Sequence, residues 1–405
     1  MARHYSRFRV TERVLLTGHS HQAWPDVALA AQQRAWLEAA ELVDDKWCAA
    51  FGVADEVRAG FARLLDDPAG QIVLGQSTHE LVARLLSALP LRERPRLVTT
   101  DAEFHTIRRL LDRLAEEGVE VVRVAADGVG AGPGEEAIAE RLVGAVDDRT
   151  AAVLVSSVLF RDARIVGGLD RVARAAERVG AALLVDAYHS LGALPFSVPG
   201  QGLEGAYVVG GGYKYLQLGE GNCFLRIPPG CTLRPVLTGW FAEFGALAGT
   251  DGRGDSPGGG EAAPVPYAEG HARFAGSTYD PVSHYRARAV MRFFREQGLT
   301  PERLRRVSLG QIRRLAAGFD ALGLDPGVLK RDRTLPLEKR GGFLVLEAPG
   351  RRLAAGELCR ALRERGVWSD HRGSLLRLGP APYVVDSQLD DAVAAIREVV
   401  RSLGA

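Results

Sequence analysis

The sequence lacks several features that would define a secreted, metal-binding or membrane-bound protein. Its 405 residues include only four cysteines, Cys48, Cys223, Cys231 and Cys359, with no CxxC pair and no metal-ligand spacing. Scattered cysteines in a chain of this length fit a reducing compartment and predict no metal site. No run of about 18 apolar residues occurs, and residues 1–17 lack an apolar core of signal-peptide length. We therefore expect a soluble, cytoplasmic protein with no membrane partner.

The sequence also lacks an excess of charge of one sign. Lys and Arg number 51 against 50 Asp and Glu, which leaves a formal net charge of +1. Nucleic acids and anionic membranes attract clustered positive charge, so this balance supports neither as a partner. Apolar residues make up 46% of the chain, and 405 residues suffice for a large domain plus a smaller one.

Short apolar segments alternate with amphipathic ones through the first two-thirds of the chain. The apolar segments predict strands at 72–74, 95–99, 119–124, 151–155, 181–185, 205–209 and 222–227. Helical spacing of apolar residues predicts helices at 80–89, 106–117, 134–146 and 169–179. This alternation predicts an α/β fold in which helices cover both faces of a mainly parallel sheet.

The last third of the chain has a different organisation. Residues 245–270 interrupt the alternation of strands and helices. Their glycine-rich centre at 252–260 predicts a flexible loop. Helices are predicted near 281–297, 301–322, 354–365 and 387–403, and strands near 342–346 and 375–378. We predict an N-terminal arm (1–30), a large domain (31–285) and a small α+β C-terminal domain (286–405).

Lys214 lies in the stretch Gly-Gly-Gly-Tyr-Lys-Tyr, downstream of a predicted strand that ends in Asp186 and is followed by His189. Open α/β sheets bind ligands at the carboxyl ends of their strands. A strand-end acid followed by a lysine on a glycine-rich turn suits pyridoxal phosphate (PLP). The amine forms a Schiff base, and the acid keeps the pyridine nitrogen protonated so that the ring accepts electrons. The alternative, an ordinary surface lysine, is disfavoured by Asp186 and His189 upstream.

These segments resemble the class V aminotransferase superfamily of fold type I PLP enzymes, and most closely the kynureninases. The stretch from Asp186 to Ala193 is similar to their Asp-x-x-His-Ser-x-Gly-Ala pattern. Further similarities follow in order at Tyr213-Lys214-Tyr215-Leu216, Gly239-Trp240-Phe241, residues 273–281, Asp370-His371-Arg372 and residues 377–382. The resemblance implies a PLP-dependent transferase-like large domain, a homodimer and an amino acid as the small-molecule substrate.

The resemblance implies cofactor contacts for four matched residues. Asp186 would pair with the pyridine nitrogen, and Lys214 would anchor the cofactor and transfer protons. Tyr213 would reach the phosphate, and His189 would lie near the ring oxygen or the phosphate. The alternative for His189 is a hydrogen-bonded core histidine.

Two further cofactor contacts rest on partial signals. Ser77 and Thr78 follow a predicted strand and open a predicted helix, whose N-terminal amides can hold a phosphate. A plain N-cap is their alternative role. An aromatic side chain should stack on the cofactor from the loop after strand 95–99, where Phe104 and His105 are both candidates.

Substrate contacts follow from the same resemblance. Arg377 is the best candidate for a bidentate clamp on the substrate α-carboxylate, and Arg372 is the second. A surface arginine is the alternative for each. Trp240 and Thr278 would come from the partner subunit, with Thr278 on the phosphate. The alternative for Trp240 is a buried core residue.

Three positions depart from the kynureninase pattern. Ile107 replaces an expected Asp, Leu159 replaces an Asn, and Asp280 replaces the Asn that helps to shape the ring pocket. Residues 18–25 also diverge. Asp280 would favour a polar, cationic or amine-bearing substrate.

The resemblance makes a kynureninase-like hydrolytic cleavage of a Cβ–Cγ bond the leading function. The alternative is another class V reaction: decarboxylation-linked deamination, β-elimination or transamination. A cysteine desulfurase is disfavoured because residues 368–376 contain no cysteine and Cys359 lies in a predicted helix. A non-catalytic binding module is disfavoured because it has no need of an electron sink.

Overall fold

The computed structural model describes residues 1–126, 137–244, 265–350 and 353–403. The strands are β1 (Val14–Leu15), β2 (Gln71–Gly75), β3 (Arg96–Thr100), β4 (Glu120–Val124), β5 (Thr150–Ser156), β6 (Ala182–Asp186), β7 (Tyr207–Gly211), β8 (Cys223–Ile227), β9 (Leu344–Glu347), β10 (Val367–Trp368), β11 (Asp370–Arg372) and β12 (Leu375–Leu378). The α-helices are α1 (Val27–Leu42), α2 (Lys46–Leu64), α3 (Thr78–Ser87), α4 (His105–Glu116), α5 (Ala137–Ala145), α6 (Leu169–Arg178), α7 (Val282–Glu296), α8 (Pro301–Ala321), α9 (Ala355–Glu364) and α10 (Asp386–Ser402).

A seven-stranded sheet forms the centre of the fold, in the order β2-β8-β7-β6-β5-β3-β4. Strand β8 runs antiparallel to both of its neighbours, and the remaining pairs are parallel. Strand β5 is buried along its whole length, as a central strand covered on both faces must be. The predicted α/β class with a mainly parallel sheet is therefore confirmed.

Successive residues of the central strands pack into different cores. Val153 contacts the cluster that includes Leu142 of α5 and Val172 of α6. The adjacent Leu154 belongs to the cluster on the other face, with Leu81 of α3 and with α4. Because side chains alternate across a strand, helices on both faces are needed to bury this apolar sequence.

The C-terminal part contains the predicted strands, as β9 and β12, which pair antiparallel, and the predicted helices. The three-stranded sheet has the order β11-β12-β9. Strand β1 pairs in parallel with β10, which ties a part of the predicted N-terminal arm to the C-terminal region. The domain boundaries stay a prediction. The centre of the predicted glycine loop, 252–260, lies outside the described residues.

The sequence patterns did not predict α1 and α2. The apolar residues of α1 do not follow a single face, since Trp36 and Leu37 are 76% and 65% exposed. Helix α2 packs on α7 so closely that a side chain at Gly60 would collide with Met291. Within the described ranges, no helix combines the length and apolarity needed to cross a bilayer.

Candidate active site

A cavity of about 280 Å³ lies where β6, β7 and the N-terminus of α3 meet. Strand β6 ends at Asp186, the loop after β7 carries Lys214, and α3 begins at Thr78. The lining residues include Gln76, Ser77, Thr78, Phe104, Ser156, Phe160, Asp186, Tyr188, His189, Tyr213, Lys214 and Cys223. Residues that are far apart in the sequence therefore meet at the strand ends, as expected for an open α/β sheet.

Lys214 and His189 form a buried hydrogen-bonded pair in this cavity. Lys214 Nζ lies 2.7 Å from His189 Nε2, and the two residues are 5% and 6% exposed. Burial lowers the pKa of Lys214 to about 7, against the opposing effect of Asp186. Burial and the Lys214 charge also hold the pKa of His189 well below its usual range. A fraction of the Lys214 amine is therefore neutral near pH 7 and able to act as a nucleophile.

Asp186 places a carboxylate on the wall of the same cavity. Its Oδ1 accepts a hydrogen bond of 2.8 Å from the Tyr188 amide. Burial raises the pKa of Asp186, and the Tyr188 amide and Lys214 partly oppose this effect. A cation against this carboxylate would offset the cost of burying its charge. The site thus fits a protonated ring nitrogen.

Ser77, Thr78 and His79, at the N-terminus of α3, line the cavity. Ser77 is the N-cap, and its Oγ accepts a hydrogen bond of 3.2 Å from the Glu80 amide. Glu80 Oε2 in turn accepts one of 3.2 Å from the amide of Gln76, the residue before the N-cap. The N-cap role is thus present, and a phosphate at the same helix end stays a compatible prediction.

The structure separates the two aromatic candidates. Phe104 lines the cavity, with Lys214 Nζ 5.3 Å from its ring centroid. His105 is the exposed first residue of α4, and its ring centroid lies 5.3 Å from that of Phe160. Tyr213 also lines the cavity, with its ring centroid 5.0 Å from that of Tyr188.

Arg377 is buried beside the cavity and is already engaged. Its Nε and Nη2 donate to the two oxygens of Asp370 at 2.9 and 2.6 Å, and Nη1 donates to the Phe160 carbonyl at 2.5 Å. Neutral His19 donates from Nε2 to Asp370 Oδ1 at 2.7 Å, because burial lowers the pKa of His19 to about 4. Although burial by itself would raise the pKa of Asp370, His19 and Arg377 hold it well below its usual range.

Four other predicted residues do not line this cavity. Trp240 is 45% exposed, and Thr278 is exposed as well. Asp280 is exposed and accepts a hydrogen bond of 2.9 Å from the Val282 amide at the start of α7. Arg372 is exposed, and its nearest carboxylate oxygen, on Asp370, is 3.8 Å away. Their roles stay predictions, and those of Trp240 and Thr278 concern a partner subunit.

Glu103 is a buried acid of this region that the sequence patterns missed. Its carboxylate accepts hydrogen bonds from Ser156 Oγ at 2.6 Å, the Ser156 amide at 3.1 Å and Thr100 Oγ1 at 2.7 Å. Burial raises the pKa of Glu103 to about 7 against these three hydrogen bonds. Its place directly before Phe104 was the signal available in the sequence.

No family model matches the chain. The chain is 25% identical over 256 residues to the uncharacterized aminotransferase YcbU of Bacillus subtilis, covering 63% of this chain and 62% of that protein. It is 26% identical over 278 residues to a kynureninase of Bacillus cereus, covering 65% of this chain and 58% of that protein. The chain therefore spans about three-fifths of the length of the curated relatives it matches.

Two solved structures share the fold over almost the whole chain. A mutant of C-DES with glycine covalently linked to its PLP cofactor has a TM-score of 0.80 at 16% identity, covering 98% of this chain and 99% of that one. The apo cysteine desulfurase from Thermococcus onnurineus NA1 has a TM-score of 0.76 at 18% identity, covering 97% and 96%. The chain thus shares its fold with these two solved structures over almost its whole length.

Proposed function

We propose that this chain is a PLP-dependent enzyme that acts on an α-amino acid. The observation that carries the proposal is the buried Lys214 amine, 2.7 Å from His189, in a cavity that also receives Asp186. A buried lysine with a pKa near 7 is costly to keep and suited to covalent catalysis. The helix N-terminus at Ser77 and the ring of Phe104 supply the remaining contacts that a phosphorylated, planar cofactor requires.

When bound, PLP supplies an electron sink for a carbanion at the substrate α carbon. Lys214 anchors the cofactor and transfers protons at that carbon, since its pKa allows both gain and loss of a proton near neutral pH. Asp186 holds the ring nitrogen in its charged form. His189 orients the Lys214 amine, and Phe104 covers a face of the ring.

A kynureninase-like hydrolytic Cβ–Cγ cleavage is the leading reaction, supported by the relatives named kynureninase. Another class V reaction, such as transamination, β-elimination or decarboxylation-linked deamination, is the second candidate. Its support is the buried, apolar character of Ile107 and Leu159 and the position of Asp280 outside the cavity. These positions carry polar side chains in the kynureninase pattern.

Persulfide chemistry at a cysteine fits the cavity less well. Cys223 lines the cavity, but burial raises the pKa of its thiol to about 12 and keeps it protonated. It also lies on a fully buried strand, whereas reactive cysteines lie in partially exposed, electropositive surroundings.

The substrate and assembly contacts belong to the same proposal. We infer that Arg377 binds the substrate α-carboxylate after exchanging its Asp370 partner, with Arg372 as the second candidate. The chain acts in the cytoplasm as a homodimer, in which Trp240 and Thr278 reach the partner's cavity. The exposed apolar residues around Trp240, Val236 at 78% and Leu237 at 53%, support a buried subunit interface.

The test is direct. Protein purified with PLP should be yellow, and borohydride reduction followed by peptide mass spectrometry should place the cofactor on Lys214. A Lys214→Ala variant is the matched control and should show neither label nor turnover. A panel of kynurenine, 3-hydroxykynurenine and other amino acids then separates the reactions: alanine release from kynurenine supports the leading one. A colourless protein that takes up no PLP would sink the proposal.

A further inference from the structure

A second and larger cavity, of about 420 Å³, lies on the other side of the β2–α3 connection. It is enclosed by α2, by the end of β2 and by the segment from 268 to 284. Among the described residues, Gln76 alone lines both this cavity and the Lys214 cavity. A volume of this size holds a small ring-bearing ligand.

His284 is a buried polar side chain of this cavity that lacks hydrogen-bond partners within the described part of the chain. It is 2% exposed, and neither Nδ1 nor Nε2 has a hydrogen-bond partner among the described residues. Burial lowers the pKa of His284 to about 4, so the ring is neutral at pH 7 and presents one donor and one acceptor. Buried polar atoms nearly always form hydrogen bonds, and a buried donor or acceptor without a partner costs about 1–3 kcal/mol.

Arg58 supplies an incompletely paired cation to the same cavity. Its Nη1 bonds to Asp55 at 2.7 Å, but that carboxylate is 70% exposed and lies three residues away on the same helix. Its Nε is buried with no partner within the described chain. Arg58, His271, Tyr279 and His284 all line this cavity. A guanidinium with free donors is suited to a planar carboxylate.

Aromatic side chains form the apolar wall of the cavity. Phe51 meets Phe241 and Phe244 edge-on, with centroid distances of 6.0 and 5.7 Å. The ring of Tyr279 lies 5.1 Å from that of His284. Edge-on contacts of this kind accept a further ring in an offset or T-shaped geometry.

We propose that this cavity is a second ligand site, for a planar aromatic monocarboxylate. The carboxylate pairs with Arg58, the ring packs among Phe51, Phe241 and Tyr279, and a polar substituent bonds to His284. Such a ligand supplies hydrogen-bond partners to the unpaired atoms of both Arg58 and His284. The site stands whether or not the Lys214 cavity performs the proposed reaction.

The experiment titrates the purified full-length protein with benzoate and with 2-hydroxybenzoate, by calorimetry. Both should bind at one site per chain, and 2-hydroxybenzoate should bind more tightly because its hydroxyl reaches His284. Arg58→Gln should weaken both by at least about tenfold, the size of a lost charged hydrogen bond. His284→Phe should remove the preference for the hydroxylated ring. Arg63→Gln, on an exposed position of the same helix, is the matched control and should change nothing.

Two results would overturn the proposal. One is the absence of benzoate binding at millimolar concentration by folded wild-type protein. The other is binding that survives Arg58→Gln but is lost in Arg377→Gln, because this places the ligand in the Lys214 cavity. If Arg58→Gln fails to fold, Arg58→Lys replaces it: the charge stays but the planar fork is lost, so affinity should still fall.

Discussion

The amine of Lys214 lies 2.7 Å from Nε2 of His189, and the two residues are only 5% and 6% exposed. Burial penalises the ammonium form and lowers the pKa of Lys214 to about 7. Burial also keeps His189 neutral, so its ring accepts from the lysine. The pair therefore holds a reactive amine in place at physiological pH, where a solvent-exposed lysine would be fully charged.

The first prediction concerns the pH dependence of cofactor attachment to the apoprotein. The neutral amine is the nucleophile, so the rate of PLP capture at Lys214 should rise through a midpoint near pH 7 and then level off. With an unperturbed lysine, the rate of capture would keep rising until the pH reached the usual pKa of about 10.4. Stopped-flow absorbance across pH 5–10 measures the midpoint, and a midpoint above about 9 contradicts the buried-amine interpretation.

Asp186→Asn tests the electrostatic interaction between Asp186 and Lys214. The Asp186 charge raises the pKa of Lys214, so its removal should move the capture midpoint to lower pH. An unchanged midpoint would show that the two groups do not interact, and a higher midpoint would contradict the sign of the predicted interaction. Glu204→Gln, at an exposed position, serves as the control and should leave the midpoint where it is in the wild type.

Glu103→Gln should stabilise the protein at alkaline pH. The folded pKa of Glu103 is about 7, above the ordinary value of 4.5, so the wild type is most favoured below pH 4.5. It loses stability as the pH rises through 7, by up to about 3 kcal/mol, because folding disfavours the ionised carboxylate. The side-chain amide of glutamine can still form hydrogen bonds with Ser156 and Thr100. Urea unfolding at pH 5 and pH 8.5 measures the free energy of unfolding of the variant and of the wild type. The same difference between the two proteins at both pH values would contradict the prediction.

The buried ion pair between Arg226 and Asp67 should matter far more than an exposed one. Arg226 Nε lies 2.6 Å from Asp67 Oδ2, with the arginine side chain only 1% exposed, and the pair links β8 to the turn that follows α2. Asp67→Ala strands a buried cation and should cost about 3 kcal/mol or more. Asp390→Ala breaks the exposed pair with Arg314 and is the matched control. Denaturant midpoints compare the two, and similar shifts would refute the difference.

The last prediction separates the two candidate carboxylate clamps. Arg377→Lys should raise KM by roughly tenfold or more with a smaller effect on kcat, because lysine loses the bidentate geometry. Arg372→Gln should change KM less, since Arg372 is exposed. Steady-state kinetics with the best substrate of the panel provide the comparison. A larger KM effect at Arg372 would transfer the clamp to that residue.

Most of the fold and the centre of the site follow from local sequence. The strands around Lys214 are short, apolar and interrupted by turns, and burial on both faces leaves few alternatives for such segments. Helices α1 and α2 were missed because their apolar residues pack on α7 or stay exposed, a pattern without a clear helical face. The choice of Phe104 over His105 at the cavity wall depends on where α4 begins.

The order of motifs along the chain was enough to predict the α/β fold, the strand-end acid and the lysine of the site. Those features are local: a strand, a turn and a helix start each carry their own signal. Contacts across the fold carried no such signal. His19 meets Asp370 across 351 positions, and Asp370 occupies the fork of Arg377. Only tertiary packing removes these groups from water, and burial is what lowers the pKa of Lys214 and leaves His284 without a partner.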